Sequence, residues 1–345
     1  MIPHLSRRSR RAQGALVVAS ICAATLLGTG TKDVIATVTP PFVTPGVLES
    51  FDPDRASFEI RSGDVTTSLR RIAIPVMPGE KFEFEVRESG QRRDAKNGYR
   101  ATASEGVVKD DLGRLVWTAP SKPGFAEITV YRNAPADSIS LLLMITVPLD
   151  RMKGTKLEGY EVGHYPDTPL RGLASYQTPK GLVRVTREDL SRRVSPHFEL
   201  GQFVCKQEGT YPKFLLVRPK LLQKLERILE HVNAEGIPAP TFHVMSGYRT
   251  PHYNKVIGNV KYSRHVYGDA ADVFVDFAPA DGVMDDVNRD GVIDMEDSRY
   301  LATLVEALTK ESFFARLIGG VGVYRANQAH GPFLHVDTRG TRARW

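Results

Sequence analysis

The chain has 345 residues, 41% of them hydrophobic and 25% charged, which is long enough for two ordinary domains and apolar enough to bury their cores. Its formal charge of +6 owes much to Arg7, Arg8, Arg10 and Arg11, because residues 1–30 hold no acid and no lysine. The remainder is nearly balanced, which argues against a nucleic-acid partner, and the two cysteines, Cys22 and Cys205, offer no disulfide framework.

The four arginines precede an apolar run from Gly14 to Gly28. A basic start with a short apolar core reads as a secretory signal over residues 1–30, either removed or kept as an anchor. The run is shorter than the roughly 20 apolar residues of a full span. Membrane attachment is expected only through this segment, and the expected location is the periplasm or cell envelope. Ile21 stands before Cys22 where a lipidation signal needs a small residue. Cys205 reads as a small buried apolar residue.

Residues 36–148 read as all-β. Short apolar or β-branched stretches recur at Ser57–Ile60, Ile72–Ile74, Phe82–Val86, Leu115–Trp117, Ala126–Tyr131 and Ser140–Val147. Turn residues such as Pro78-Gly79 and Pro123-Gly124 separate them, a spacing that suits a β-sandwich. The stretch VWTAPSKPGFAEITVYR resembles the late strands of bacterial immunoglobulin-like domains. The implied role is a spacer or positioning module, with a binding face as the alternative.

Residues 149–200 are rich in Gly and Pro and read as a connection lying over the next domain. Residues 201–345 read as α+β. Leu221, Leu222, Leu225, Ile228, Leu229 and Val232 share one helical stripe, and a second helix is predicted from Ser298 to Leu308. Strand-like runs fall at Thr241–Met245, Asp272–Val275 and Gly320–Tyr324.

The chemistry concentrates in three places. SGYRTPHYN spans 246–254, SRHVYGDAAD spans 263–272, and HGPFLHVD spans 330–337. Zinc takes imidazoles and carboxylates in a tetrahedron, and a catalytic site keeps three protein ligands. His265 and Asp272 flank a turn at Gly268, while His335 comes from a separate apolar strand. Two close ligands and one distant one build such a site. Asp337 shares the strand face of His335 and is placed either to orient its imidazole or to make a surface salt bridge. Ser263, Tyr248 and Asn254 are candidates either to touch substrate or simply to cap turns, and Asp276 to support Asp272.

SGYRTPxxN, SxHxxGxAxD and a late HVD together resemble the zinc D-Ala-D-Ala carboxypeptidase and LD-endopeptidase family, which trims peptidoglycan stem peptides. Here the middle motif departs slightly, with Ala271 directly before Asp272. The resemblance covers about residues 156–345 and implies the hedgehog/DD-peptidase fold. It also implies zinc on His265, Asp272 and His335, Arg249 as the group that polarises or holds the substrate, and His330 beside the metal. Many members place a carboxylate three residues before the last zinc histidine, and here that position is Pro332. This leaves three readings. His330 is the general base, an acid such as Asp337 substitutes, or the site binds zinc and wall peptide without efficient turnover.

Residues 286–297 fit a calcium loop. The expected ligands are Asp286, Asn288, Asp290, Asp294 and Asp297, with the Val292 carbonyl and a turn at Gly291. The expected function is a secreted zinc metallopeptidase acting on peptidoglycan peptides. The alternative is a zinc-containing module that binds wall or protein without cutting.

Overall fold

The computed structural model describes residues 50–345 apart from Leu112. The expected leader over 1–30 and the first part of the expected sandwich lie outside the described residues. No helix among the described residues is long and apolar enough to cross a membrane.

The chain first builds two sheets. One runs in the order Val65–Leu69, Arg55–Ser62, Lys81–Glu88, Arg114–Thr118, Lys109–Asp111, with Gln91–Arg93 paired to Lys81–Glu88. The other runs Arg71–Val76, Asp137–Ile145, Gly124–Arg132, Tyr99–Ala103. All pairings are antiparallel except that of Asp137–Ile145 with Arg71–Val76. Period-two burial drives them together. Ala126, Ile128 and Val130 are buried on one face of their strand, and Phe82, Phe84 and Val86 on one face of theirs. Trp117 is fully buried, and its indole N–H donates to the Glu105 carbonyl at 2.8 Å.

Residues 149–200 are more than a connection. Gly181–Val185 pairs with Val147–Pro148 on one side and Lys213–Leu215 on the other, which sews the all-β part to the helix-bearing part of the chain. The described residues form one compact unit with a continuous core. Ties across it include the Arg55–Glu230 ion pair at 2.9 Å, a hydrogen bond from Gln223 Nε2 to the Thr66 carbonyl at 2.6 Å, and Phe51 stacked on His197 at 4.6 Å.

Three helices and a five-stranded sheet carry the candidate site. Helix α1 (Pro219–Ala234) starts with proline at its first turn and buries the expected leucine stripe. Strand β1 (His243–Ser246) leads into the short helix α2 (Pro251–Val256), capped by the Thr250 hydroxyl, and then β2 (Ala270–Phe274). Helix α3 (Met295–Leu308) precedes β3 (Gly320–Tyr324), β4 (Phe333–Asp337) and β5 (Ala343–Arg344). The sheet order is β1-β2-β4-β3-β5, antiparallel except where β5 joins β3. Helix α3 packs on β3 and β4, so this sheet has one face toward helices and one toward the motifs.

Candidate metal centre

Register places the expected ligands side by side. Ser246 pairs with Asp272, Asp272 with His335, and His335 with Gly322, so one row crosses four strands on a single face. His265 arrives from a 3-10 turn, Arg264–Tyr267, that ends on Gly268 at φ +72°. A Cβ at Gly268 would lie 2.4 Å from the Leu216 carbonyl oxygen, so both the backbone conformation and the space demand glycine. Arg264 locks this turn. Its guanidinium pairs with buried Asp269 and stacks over Tyr176 at 4.2 Å. Sequence reasoning missed this pair; an Arg and an Asp five apart around an obligatory glycine were its only signal.

Three ligand atoms converge. His265 Nε2 lies 3.2 Å from Asp272 Oδ1 and 3.3 Å from His335 Nδ1, and His335 Nδ1 lies 2.8 Å from Asp272 Oδ1. A tetrahedral zinc ion with bonds of about 2.0–2.1 Å spaces its ligands by about 3.3 Å. All three side chains are buried.

Their tautomers are set from behind. His265 Nδ1 is 2.7 Å from the Gly247 carbonyl, which can only accept, so Nδ1 carries the hydrogen and Nε2 offers its lone pair inward. His335 Nε2 is 3.2 Å from Asp337 Oδ2. Burial pushes the Asp337 carboxyl up, but His335 and Arg339 outweigh it and hold it well below the usual range, so it too accepts. His335 Nδ1 therefore also points a lone pair inward. Two imidazole lone pairs and a carboxylate oxygen at about 3 Å repel one another unless a positive charge stands among them. Burial lowers the His265 pKa, whereas hydrogen bonds to Asp272 and Asp337 overcome burial and raise that of His335. A proton on His335 or a divalent cation satisfies the cluster, and the spacing and donor set fit zinc. Among the described residues this is the single group of three or more His, Cys, Asp or Glu whose ligand atoms gather closely enough for a metal.

The other expected residues separate. Arg249 reaches the cluster: its guanidinium pairs with Asp272 Oδ2, and its Nε donates to Ser246 Oγ at 2.8 Å. Its Nη1 has no partner among the described residues. Asp337 sits where expected against His335. His330 is committed within its own loop. Its Nδ1 donates to the Gly331 carbonyl at 2.8 Å, and its Nε2 accepts from Asn327 Nδ2 at 2.8 Å, leaving no lone pair to take a proton. Tyr248 corrects the sequence expectation. It is 2% exposed and hydrogen-bonded to the Tyr165 hydroxyl at 2.7 Å, which places it in the core rather than on an open surface. Ser263 is buried at the start of the His265 turn and makes no side-chain cap. Asp276 holds His243 rather than Asp272.

Calcium gains no support. The carboxylates of Asp286, Asp290, Asp294 and Asp297 do not gather as metal ligands. Together with the Asn288 amide they accept backbone N–H groups of their own loop. Val292 is exposed. Asp294 and Asp297 form the capping box that starts α3.

Comparison with known proteins agrees with the centre as far as it reaches. Residues 196–291 match the sequence model of a family described as Peptidase M15. That stretch contains Arg249, His265 and Asp272, while His335 lies beyond it. No curated protein matches the chain.

Proposed function

We propose that the chain is a secreted zinc metallopeptidase that hydrolyses peptide bonds in peptidoglycan stem peptides or cross-links. The observation that carries this reading is the buried convergence of His265 Nε2, Asp272 Oδ1 and His335 Nδ1, each oriented from behind. The match to the Peptidase M15 family supports a peptidase, and the motifs around the cluster support a wall peptide as substrate. Zinc held there would supply Lewis acidity toward a peptide carbonyl. The chain's own part is positioning and charge. Asp337 and the Gly247 carbonyl fix the imidazoles. Arg249 fixes Asp272 and keeps Nη1 for the oxygen that gains charge or for a terminal carboxylate. The leader would carry the chain to the periplasm or envelope, with the all-β part as a positioning module.

One observation favours a second reading, a zinc module that binds wall peptides without cutting them. Pro332 cannot move a proton, Asp337 is fully engaged, and His330 must leave Asn327 before it can act as base. Sacculi incubated with zinc-loaded protein decide the matter. Hydrolysis predicts new muropeptides, their loss on chelation or in His265→Ala, and recovery on adding zinc. Folded, zinc-loaded protein that binds sacculi and releases nothing establishes the second reading. Unchanged turnover in His330→Ala removes His330 from the chemistry.

A further inference from the structure

Strand β3 presents glycine on the face that carries the metal ligands, at Gly320 and at Gly322 opposite His335. The indole of Trp345 fills that space. A Cβ on Gly322 would lie 2.5 Å from Trp345 Nε1, and one on Gly320 would lie 2.8 Å from its Cη2. The indole is firmly held. Nε1 donates to the Tyr324 hydroxyl at 2.7 Å, and the Trp345 carbonyl accepts from Val323 N at 2.9 Å. Its ring centroid is 5.2 Å from that of His335. Yet Trp345 is 48% exposed. One face of the ring rests on the glycines, and the exposed part stands in water beside a metal ligand. Tyr324, half-buried and stacked on buried Phe333 at 4.4 Å, continues the same face of the sheet.

We propose that Trp345 is a specificity-determining residue of the metal centre, the wall against which the aliphatic side chain of the residue at the cleaved carbonyl packs. This rests on the metallopeptidase reading. The distance suits it, since that side chain branches from the Cα bonded to the carbonyl carbon and the indole lies 5.2 Å from His335, centroid to centroid. The chemistry suits it as well. Arg339 lies over part of the ring at 5.3 Å from its centroid, but its charge is paired with Asp337, as that of Arg344 is with Glu306, so neither is free to draw a carboxylate to the wall. An aromatic face favours C–H groups over carboxylates.

The test uses the full chain, zinc-loaded, with Trp345→Ala and Trp345→Phe, and peptides bearing alanine or aspartate at that position. Trp345→Ala raises KM for the alanine peptide about tenfold and leaves kcat nearly unchanged, while Trp345→Phe restores most of the loss. Bound zinc stays the same in all three proteins. Titration of the wild type with the alanine peptide shifts Trp345 emission, read as the difference from Trp345→Phe. Loss of zinc in Trp345→Ala makes the residue a support for His335 and overturns the proposal. Unaltered KM with a silent emission also overturns it, and leaves the peptidase reading standing if the wild type hydrolyses. A saturable emission shift without hydrolysis keeps the wall and removes the peptidase reading.

Discussion

At the scale of single residues, the centre is built as much from what stands behind the ligands as from the ligands. Asp337 accepts from His335, from Gly320 N at 2.8 Å and from Arg339, so its carboxylate is held while it holds the imidazole. Asp337→Asn is expected to weaken zinc affinity about 10–100-fold while His335 remains in place, measured by competition with a chromophoric chelator. Behind Asp337 lies Lys224, 1% exposed, whose Nζ donates to the Asp337 carbonyl at 2.7 Å. Burial pulls its pKa down to about 8, against the attraction of Asp337. An unfolded lysine titrates near ~10.4. Below about pH 8 both states carry the proton and the fold bears the full cost of a buried charge. Between the two values the folded state alone has lost the proton, so stability rises with pH. Denaturation from pH 7 to 9.5 should therefore show the wild type gaining on Lys224→Met by roughly 2 kcal/mol. Parallel curves for the two proteins would refute this account.

At the scale of elements, the acidic loop and α3 show what local pattern can and cannot decide. The spacing of Asp286, Asn288, Asp290, Gly291, Asp294 and Asp297 predicts a calcium loop, yet the same residue types also satisfy backbone donors. Asp297, fully buried, accepts from Val287 N at 2.9 Å and Asn288 N at 3.2 Å and closes the capping box with Asp294. Asp297→Ala removes an N-terminal cap partner and strands buried donors, so it should cost about 2–3 kcal/mol of stability in urea denaturation. A loss below about 0.5 kcal/mol, the range of ordinary surface changes, would remove Asp297 from the start of α3. Helices α1 and α3 are legible in the sequence because their apolar stripes repeat at helical spacing, whereas the short α2 carries no such stripe. The strand over Val65–Leu69 is not, because its alternation is carried by Thr and Ser as much as by apolar residues.

At the scale of the whole molecule, the described chain is one unit rather than two joined by a tether. The core runs without interruption from the all-β sheets through α1 to the metal sheet. Calorimetry should accordingly give a single cooperative transition, with matching calorimetric and van't Hoff enthalpies. Two resolved transitions would show that Arg55–Glu230, Gln223–Thr66 and the Phe51–His197 stack do not couple the parts.

Sequence alone picked out His265, Asp272 and His335 as one candidate metal group, because residue types that bind metals recur there within motifs that resemble a known peptidase family. It also carried the broad order of strands and helices, since hydrophobic period is local information. Tertiary structure decided everything that depends on which atoms meet. It turned Tyr248 inward onto Tyr165, tied both nitrogens of His330 into its own loop, and set Arg264 against Asp269. It brought Trp345 across two glycines to the edge of His335. The physical reason is the same in each case. Period and spacing assign a residue to a face, but a hydrogen bond or ring contact forms only between groups that sheet register and packing bring within a few ångströms.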